Sequence, residues 1–149
     1  MGKPIKIEYK SGGHDIKVVL EGGDAFEKAM REAAKDPGIS KLPQGEELVS
    51  KLRGYARRTG FTMSHYKDGQ LDDMADGSPA KRKFNERDVV VIAERYNKGA
   101  RNDSPSGEAA YRTFDDRGAV IEARHYKEGQ HVNMAAKPAP KRPSGPGMR

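Results

Sequence analysis

Imidazole moves protons and ligates metals near neutral pH, so the four histidines are weighed first for chemistry. His125 and His131 flank Lys127-Glu128-Gly129. A three-residue loop there would set the two rings opposite each other on one face of a hairpin, near enough to share a metal ion. No third ligand accompanies them, and the same positions in two earlier copies of the pattern hold His65 with Leu71 and Arg95 with Arg101. An exposed cross-strand pair is the simpler expectation, and no metal is expected. His14 falls in a turn. Asp72-Asp73 and Asp115-Asp116 offer paired carboxylates, but at turn positions where Asp is favoured for accepting backbone hydrogen bonds. Gly22-Gly23 ahead of a helix could cradle a phosphate. No P-loop or dinucleotide fingerprint surrounds it, and Asp24 would repel an anion. The expectation is a chain with no catalytic residues and no cofactor, not an enzyme.

Cations offer a second kind of chemistry. The 149 residues carry a net charge of +6 and a pI near 9.5. A protein that tracks phosphates needs clustered Lys and Arg, with aromatics if it holds single strands. Arg57 and Arg58, Lys81-Arg82-Lys83 beside Phe84, and Lys141 with Arg142 are the candidates. The excess is unevenly spread: residues 1–60 carry +3, residues 61–134 carry −1, and residues 135–149 carry +4. The central stretch is electrically balanced, so nucleic-acid binding stands as the alternative reading.

That central stretch is written three times. His65-Tyr66-Lys67-Asp68-Gly69-Gln70 recurs as Arg95-Tyr96-Asn97-Lys98-Gly99-Ala100 and as His125-Tyr126-Lys127-Glu128-Gly129-Gln130, a period of 30 residues. Lys83 to Ala93 aligns with Thr113 to Ala123 at the same offset. Such a period is the signature of a repeat architecture. Within a copy, Val89 to Tyr96 is β-branched and lies between turn-forming clusters, so it reads as a strand. Alternation puts Phe61/Val91/Ile121 and Met63/Ala93/Ala123 on one face, which is expected to be buried. Tyr66, Tyr96 and Tyr126 form a row on the other, where aromatics pack across strands with wet hydroxyls. Asp68-Gly69, Lys98-Gly99 and Glu128-Gly129 are tight turns of two residues, or of three with a bulge. A short polar strand follows each turn (Gln70 to Met74, Ala100 to Asp103, Gln130 to Met134), then a link to the next strand, Pro79 to Phe84 or Ala109 to Phe114.

The order of aromatic, turn, strand, Tyr, charged-x-Gly turn and polar strand resembles the bacterial YwqK-type repeat, a relative of the MORN repeat, over roughly residues 54–134. The 30-residue period is longer than that family's. Arg117-Gly118 keeps its usual first-turn Gly where Arg87-Asp88 does not. The resemblance implies strings of β-hairpins and no catalytic residues. A named bacterial member is described as the antitoxin partner of a secreted toxin, which implies protein binding here.

Ile5, Ile7 and Tyr9 alternate with charged residues, as do Ile16, Val18 and Leu20 beyond Gly12-Gly13, giving a hairpin. Asp24 and Glu27 form a capping box for a helix from Ala25 to about Lys35, with Phe26, Ala29, Met30 and Ala33 as its stripe. Ile39 to Pro43 reads as a connector. A second helix runs from Gln44 to about Arg58, with Leu48, Val49, Leu52, Tyr55 and Ala56 on one side. Residues 135–149 are rich in Pro, Gly, Ala and Lys and read as a disordered basic tail. Leu, Ile, Val and Phe number only 23, so the core must be thin. There is no Cys, which removes disulfides and thiolate metal sites. No stretch approaches a membrane span, which makes a cytoplasmic protein away from membranes the default. The expected fold is α+β: an N-terminal β-hairpin and two helices (1–60) capping an antiparallel β-meander of 30-residue hairpin repeats (61–134). Long strands, cross-strand tyrosines and mixed charge without a cleft suit a non-enzymatic protein-binding module of inhibitor or antitoxin-like type. Its expected contacts are Tyr66, Tyr96, Tyr126, Arg95 and Arg124, since Tyr and Arg are the usual interface anchors. Packing within the sheet is their competing role.

Overall fold

The computed structural model describes residues 4–132. The tail expected over 135–149, with Lys141 and Arg142, lies outside them. Strands β1 (Ile5–Ser11) and β2 (His14–Gly22) form the N-terminal hairpin. Ser11 opposes His14, so the loop has two residues, and Gly12 and Gly13 both take positive φ (57° and 82°). A tight turn whose twist matches its strands needs that at both central positions.

Three helices follow. Helix α1 (Asp24–Ala34) buries Phe26, Met30 and Ala33. The expected capping box is absent: Gly23 is the N-cap and no side chain caps the helix. Asp24 and Glu27 lie in the first turn, where negative charge complements the dipole. A short helix, α2 (Pro37–Ser40), replaces part of the expected connector; Pro37 stands in its first turn and the Asp36 carboxylate accepts the Gly38 N–H at 2.8 Å. Helix α3 (Glu46–Ala56) is shorter than expected at both ends, because Gly45 begins it and Arg57 turns to extended backbone. Leu48, Val49, Leu52 and Ala56 are buried. Tyr55 is not part of that stripe; it is exposed and donates its hydroxyl to Asp36 at 2.7 Å.

The remaining chain is strand: β3 (Phe61–Lys67), β4 (Gln70–Leu71), β5 (Lys81–Phe84), β6 (Val90–Glu94), β7 (Tyr96–Asn97), β8 (Ala100–Arg101), β9 (Tyr111–Phe114), β10 (Val120–Lys127) and β11 (Gln130–Val132). The sheet order is β1-β2-β3-β5-β6-β9-β10-β11, with β4 folded back on β3 and β7–β8 forming a separate ribbon. Every pairing is antiparallel. The fold is α+β with a large antiparallel meander. Seven pairs join β2 to β3, from Ile16–Lys67 to Gly22–Phe61. One cluster takes in Ile7, Val18, Leu20, Phe26, Phe61 and Met63, so the N-terminal hairpin, the helices and β3 share one core.

Cover over this sheet is graded. The helices pack against β1, β2, β3 and the near end of β5, where the Phe61 ring stacks between Phe26 at 6.0 Å and Phe84 at 4.8 Å. The uniformly buried face expected for the three copies is therefore corrected. Phe61, Met63 and Ala93 are buried, Val91 is half-buried, and Ala123 and Ile121 are exposed, Ile121 at 68%. Helical cover ends, and the register also shifts. Lys83 opposes Ile92 while Phe84 opposes Val90, and Thr113 opposes Glu122 while Phe114 opposes Val120. Val91 and Ile121 are thus the extra residues of β-bulges, where strict alternation fails.

The Gly turns are two-residue loops, because Lys67 opposes Gln70, Asn97 opposes Ala100 and Lys127 opposes Gln130. The first residue of each, Asp68, Lys98 and Glu128, has φ of 51°. The first two strands after these turns, β4 and β8, are shorter than expected, and the chain leaves them as links pinned by carboxylates; the end of the third, expected at Met134, lies outside the described residues. Asp73 Oδ1 accepts the N–H groups of Ala80 and Tyr96 at 2.9 and 3.0 Å. Asp103 Oδ1 accepts those of Ala110 and Tyr126, both at 2.9 Å.

Candidate interaction surface

Paired residues share a face of an antiparallel sheet. One face therefore carries Met63, Arg82, Ala93, Arg112 and Ala123, and the opposite face carries Ser64, Lys81, Glu94, Tyr111 and Arg124. The helices lie on the first. On the second, around β6 to β10, the side chains gather about Arg101. Its guanidinium donates to the Tyr126 hydroxyl at 3.2 Å, the Tyr96 hydroxyl at 3.5 Å and Glu94 at 3.4 Å. It also lies 5.2 Å from the ring centres of both Tyr111 and Tyr126. Arg124 covers Tyr111 at 5.2 Å and donates to Glu122. Tyr96 donates to Glu94 at 2.7 Å, and burial pushes its hydroxyl pKa up. Hydrogen bonds, that to Tyr96 foremost, hold the Arg101 proton more tightly than usual.

Of the five expected contacts, this geometry brings Tyr96, Tyr126 and Arg124 together. Tyr66 stands apart, opposite Lys17 on β2, whose ammonium lies 4.9 Å above its ring. Arg95 does not face outward. It is buried at 6% exposure, and its guanidinium donates to Asp73 at 3.2 Å and the Gly77 carbonyl at 2.8 Å and pairs with Glu108. It ties two links together. Arg101 was the residue missed, and a two-residue loop at Lys98-Gly99 would have revealed it by setting it opposite Tyr96.

Strand β10 is open in two further ways. Val120 and Ile121 are 55% and 68% exposed. Along its outer edge β11 pairs only with His125–Lys127, so among the described residues Val120 to Arg124 has no neighbour on that side. The corresponding stretches one and two periods earlier are paired: Ile92 to Glu94 with β9, and Phe61 to Ser64 with β5.

The loop length separates the two histidines weighed as a metal pair. His125 opposes Val132 and donates Nδ1–H to the Asp103 carboxylate at 2.6 Å, whereas His131 opposes Tyr126 and packs on its ring. The cations of the nucleic-acid alternative are divided. Arg57 pairs with Asp88 at 3.2 Å, and Arg58 occupies a positive-φ turn. Lys81 and Lys83 point from the face opposite Arg82, which lies over the Phe84 ring. No helix of the described residues is long and apolar enough to cross a membrane.

Compared with family models, curated proteins and solved structures, the chain gives no match.

Proposed function

We propose that the chain is a non-enzymatic protein-binding module of inhibitor or antitoxin-like type, an array of 30-residue hairpin repeats whose partner seats on the last of them. The observation that carries the reading is β10: exposed Val120 and Ile121 and an outer edge that has no neighbour among the described residues over Val120 to Arg124, with the Arg101–Tyr126 cluster behind it. Strand addition to such an edge supplies main-chain hydrogen bonds, and alternate side chains supply specificity. Exposed edges that nothing covers are aggregation hazards, which favours an occupant. The repeat reading is supported by the Asp73 and Asp103 pins, whose amide donors recur at the same offset. The separation of Lys81, Arg82 and Lys83 across two faces weighs against a continuous phosphate track.

The test is affinity capture from native cells with nuclease treatment, using the wild-type chain beside Ile121→Asp and Arg101→Ala. A protein that survives nuclease and moderate salt and is lost with Ile121→Asp supports the reading. Recovery of nucleic acid alone, lost steeply with salt, would overturn it.

A further inference from the structure

A cavity of about 490 Å³ lies between α3 and the hairpin side of the sheet, away from β10. Its apolar lining comes from Ile16, Val49, Met63 and Met74. One end is cationic. Arg53 of α3 and Arg82 of β5 hold their guanidinium groups 5.1 and 5.6 Å from the centre of the same Phe84 ring. Arg53 lines the cavity; Arg82 opposes Met63 in the sheet and reaches Met74 Sδ at 3.4 Å, so its charge lies behind the Met63–Met74 wall.

Two like charges at one ring call for an anion. Among the described residues neither arginine has a carboxylate within 4.0 Å, and the undescribed ends of the chain contain no Asp or Glu. Both have a buried Nε with no hydrogen-bond partner. Burial, followed by the charge of Arg53, pulls the Arg82 pKa down to about 10. The acids lining the cavity have other partners, although Asp76 is near enough to act on Arg82. Asp73 is taken by Arg95 and two backbone N–H groups, and Asp76 accepts the Ser78 N–H at 2.9 Å while only partly offsetting Arg82. Glu46 lies by Tyr9, whose hydroxyl pKa it helps to raise. His14 is bound to Asp68, and His65 to the Asp72 carbonyl. Among the described residues the Arg53 end of the cavity has no carboxylate partner, the apolar side chains Ile16, Val49, Met63 and Met74 line its body, and His65 and Lys67 line it along β3.

We propose that this cavity binds a small apolar carboxylic acid, its head group held by the Arg53 guanidinium with the Arg82 charge behind the Met74 wall supporting it, and its chain lying over Met63, Val49 and Ile16. Planar, fork-shaped donors suit a carboxylate, and pockets of this size with an apolar lining and few polar anchors are the usual form of small-ligand sites. The site is independent of the protein-binding surface on β10.

The test uses octanoate as probe on the full chain, with octylamine as control, followed by calorimetry and amide NMR shifts. The expected result is saturable one-to-one binding of octanoate with shifts at Ser50, Met63 and Met74. Octylamine should not bind, and affinity should fall at least tenfold in Arg53→Gln and in Arg82→Gln. Equal binding of octylamine, unchanged affinity in both variants, or shifts confined to Val120 and Ile121 would overturn the proposal. If a variant fails to fold, the contrast between octanoate and octylamine on the wild-type chain decides alone.

Discussion

Phe61, Val91 and Ile121 occupy one position in three successive copies, and truncating each to Ala should give three very different costs. Phe61 is 3% exposed and its ring lies between those of Phe26 and Phe84. Removing it opens a cavity beneath α1 that the surrounding strands cannot close, a loss of about 3–5 kcal/mol. Val91 is half-buried at a bulge, so Val91→Ala should cost about 1 kcal/mol, near the middle of the range for partial loss of a branched side chain. Ile121 keeps roughly a third of its surface covered, and full burial of such a side chain is worth about 1.5–3 kcal/mol, so Ile121→Ala should cost under about 1 kcal/mol. Urea unfolding followed by circular dichroism measures all three, provided the slope of the transition is constant across the set. Equal losses at Phe61 and Ile121, or a loss above about 2 kcal/mol at Ile121, would show that the third hairpin is covered and refute the graded-cover argument.

Asp103→Ala leaves the N–H groups of Ala110 and Tyr126 without their acceptor; it should cost about 2–4 kcal/mol, and hydrogen exchange at those two amides should accelerate more than at Val18 or Leu20. Arg101→Ala removes the group shared by Tyr96, Tyr111 and Tyr126, a loss of about 1–2 kcal/mol, and a double-mutant cycle with Tyr126→Phe should show coupling that vanishes if the two groups act separately. Acid should destabilise the fold. Hydrogen bonds lower the pKa of Asp36 (foremost from Tyr55), Asp68 (foremost from Asp15), Asp76 (foremost from Ser78) and Asp115 (foremost from Ala119). Their stabilisation is present above the unfolded value of about 3.9 and is lost as pH falls through the lower folded values. Asp73 runs the other way, since burial raises its pKa: its contribution is present below the unfolded value and is lost as pH rises through the folded one. Carboxyl NMR titration should place Asp68 and Asp115 below the ordinary value and Asp73 above it, and the reverse order would refute these environments.

Much of this fold was legible because single strands and helices announce themselves by period. Ile5 to Leu20 alternates around Gly12-Gly13, and the observed hairpin follows that pattern. Leu48, Val49, Leu52 and Ala56 share a helical face and are buried together. What could not be read depends on two chain segments at once. The bulges at Val91 and Ile121 arise where the turns pinned by Asn85 and Asp115 meet the preceding strands. Asn85 Oδ1 accepts the N–H groups of Arg87 and Val89, and Asp115 Oδ1 those of Arg117 and Ala119. Nothing within Val90–Glu94 alone signals that shift. Asp68-Gly69 is a strong two-residue turn signal. Lys98-Gly99 and Glu128-Gly129 are not, and with their loop length undecided neither the Arg101–Tyr96 pairing nor the separation of His125 from His131 could be derived. Arg95 misled for a related reason: an arginine reads as a surface group unless the acids that enclose it are known, and Asp73 and Glu108 reach it only through the folded links.

The residues at 65, 95 and 125 show how cohesion is maintained as the helical cover recedes. His65 is buried beneath the edge of the helical layer and needs one partner, the Asp72 carbonyl at 2.7 Å. At Arg95 no helix lies above, and a guanidinium fills the space by bridging Asp73 and Gly77 of one link to Glu108 of the next. His125 returns to a single partner, Asp103 at 2.6 Å, with about a quarter of its side chain exposed. Apolar packing therefore dominates up to β5, while ion pairs and backbone-accepting carboxylates dominate from β5 to β10, where Val120 and Ile121 are exposed. Removing one member of a buried pair leaves an uncompensated charge and is costly, so the middle hairpin is held by Arg95 and its acids rather than by apolar packing. The last hairpin has the most exposed apolar side chains, Val120 and Ile121, and local openings are drawn from regions with few buried apolar contacts. A partner that covers Val120 and Ile121 and pairs with the outer edge of β10 would supply there the apolar cover and the edge pairing that β3 already has.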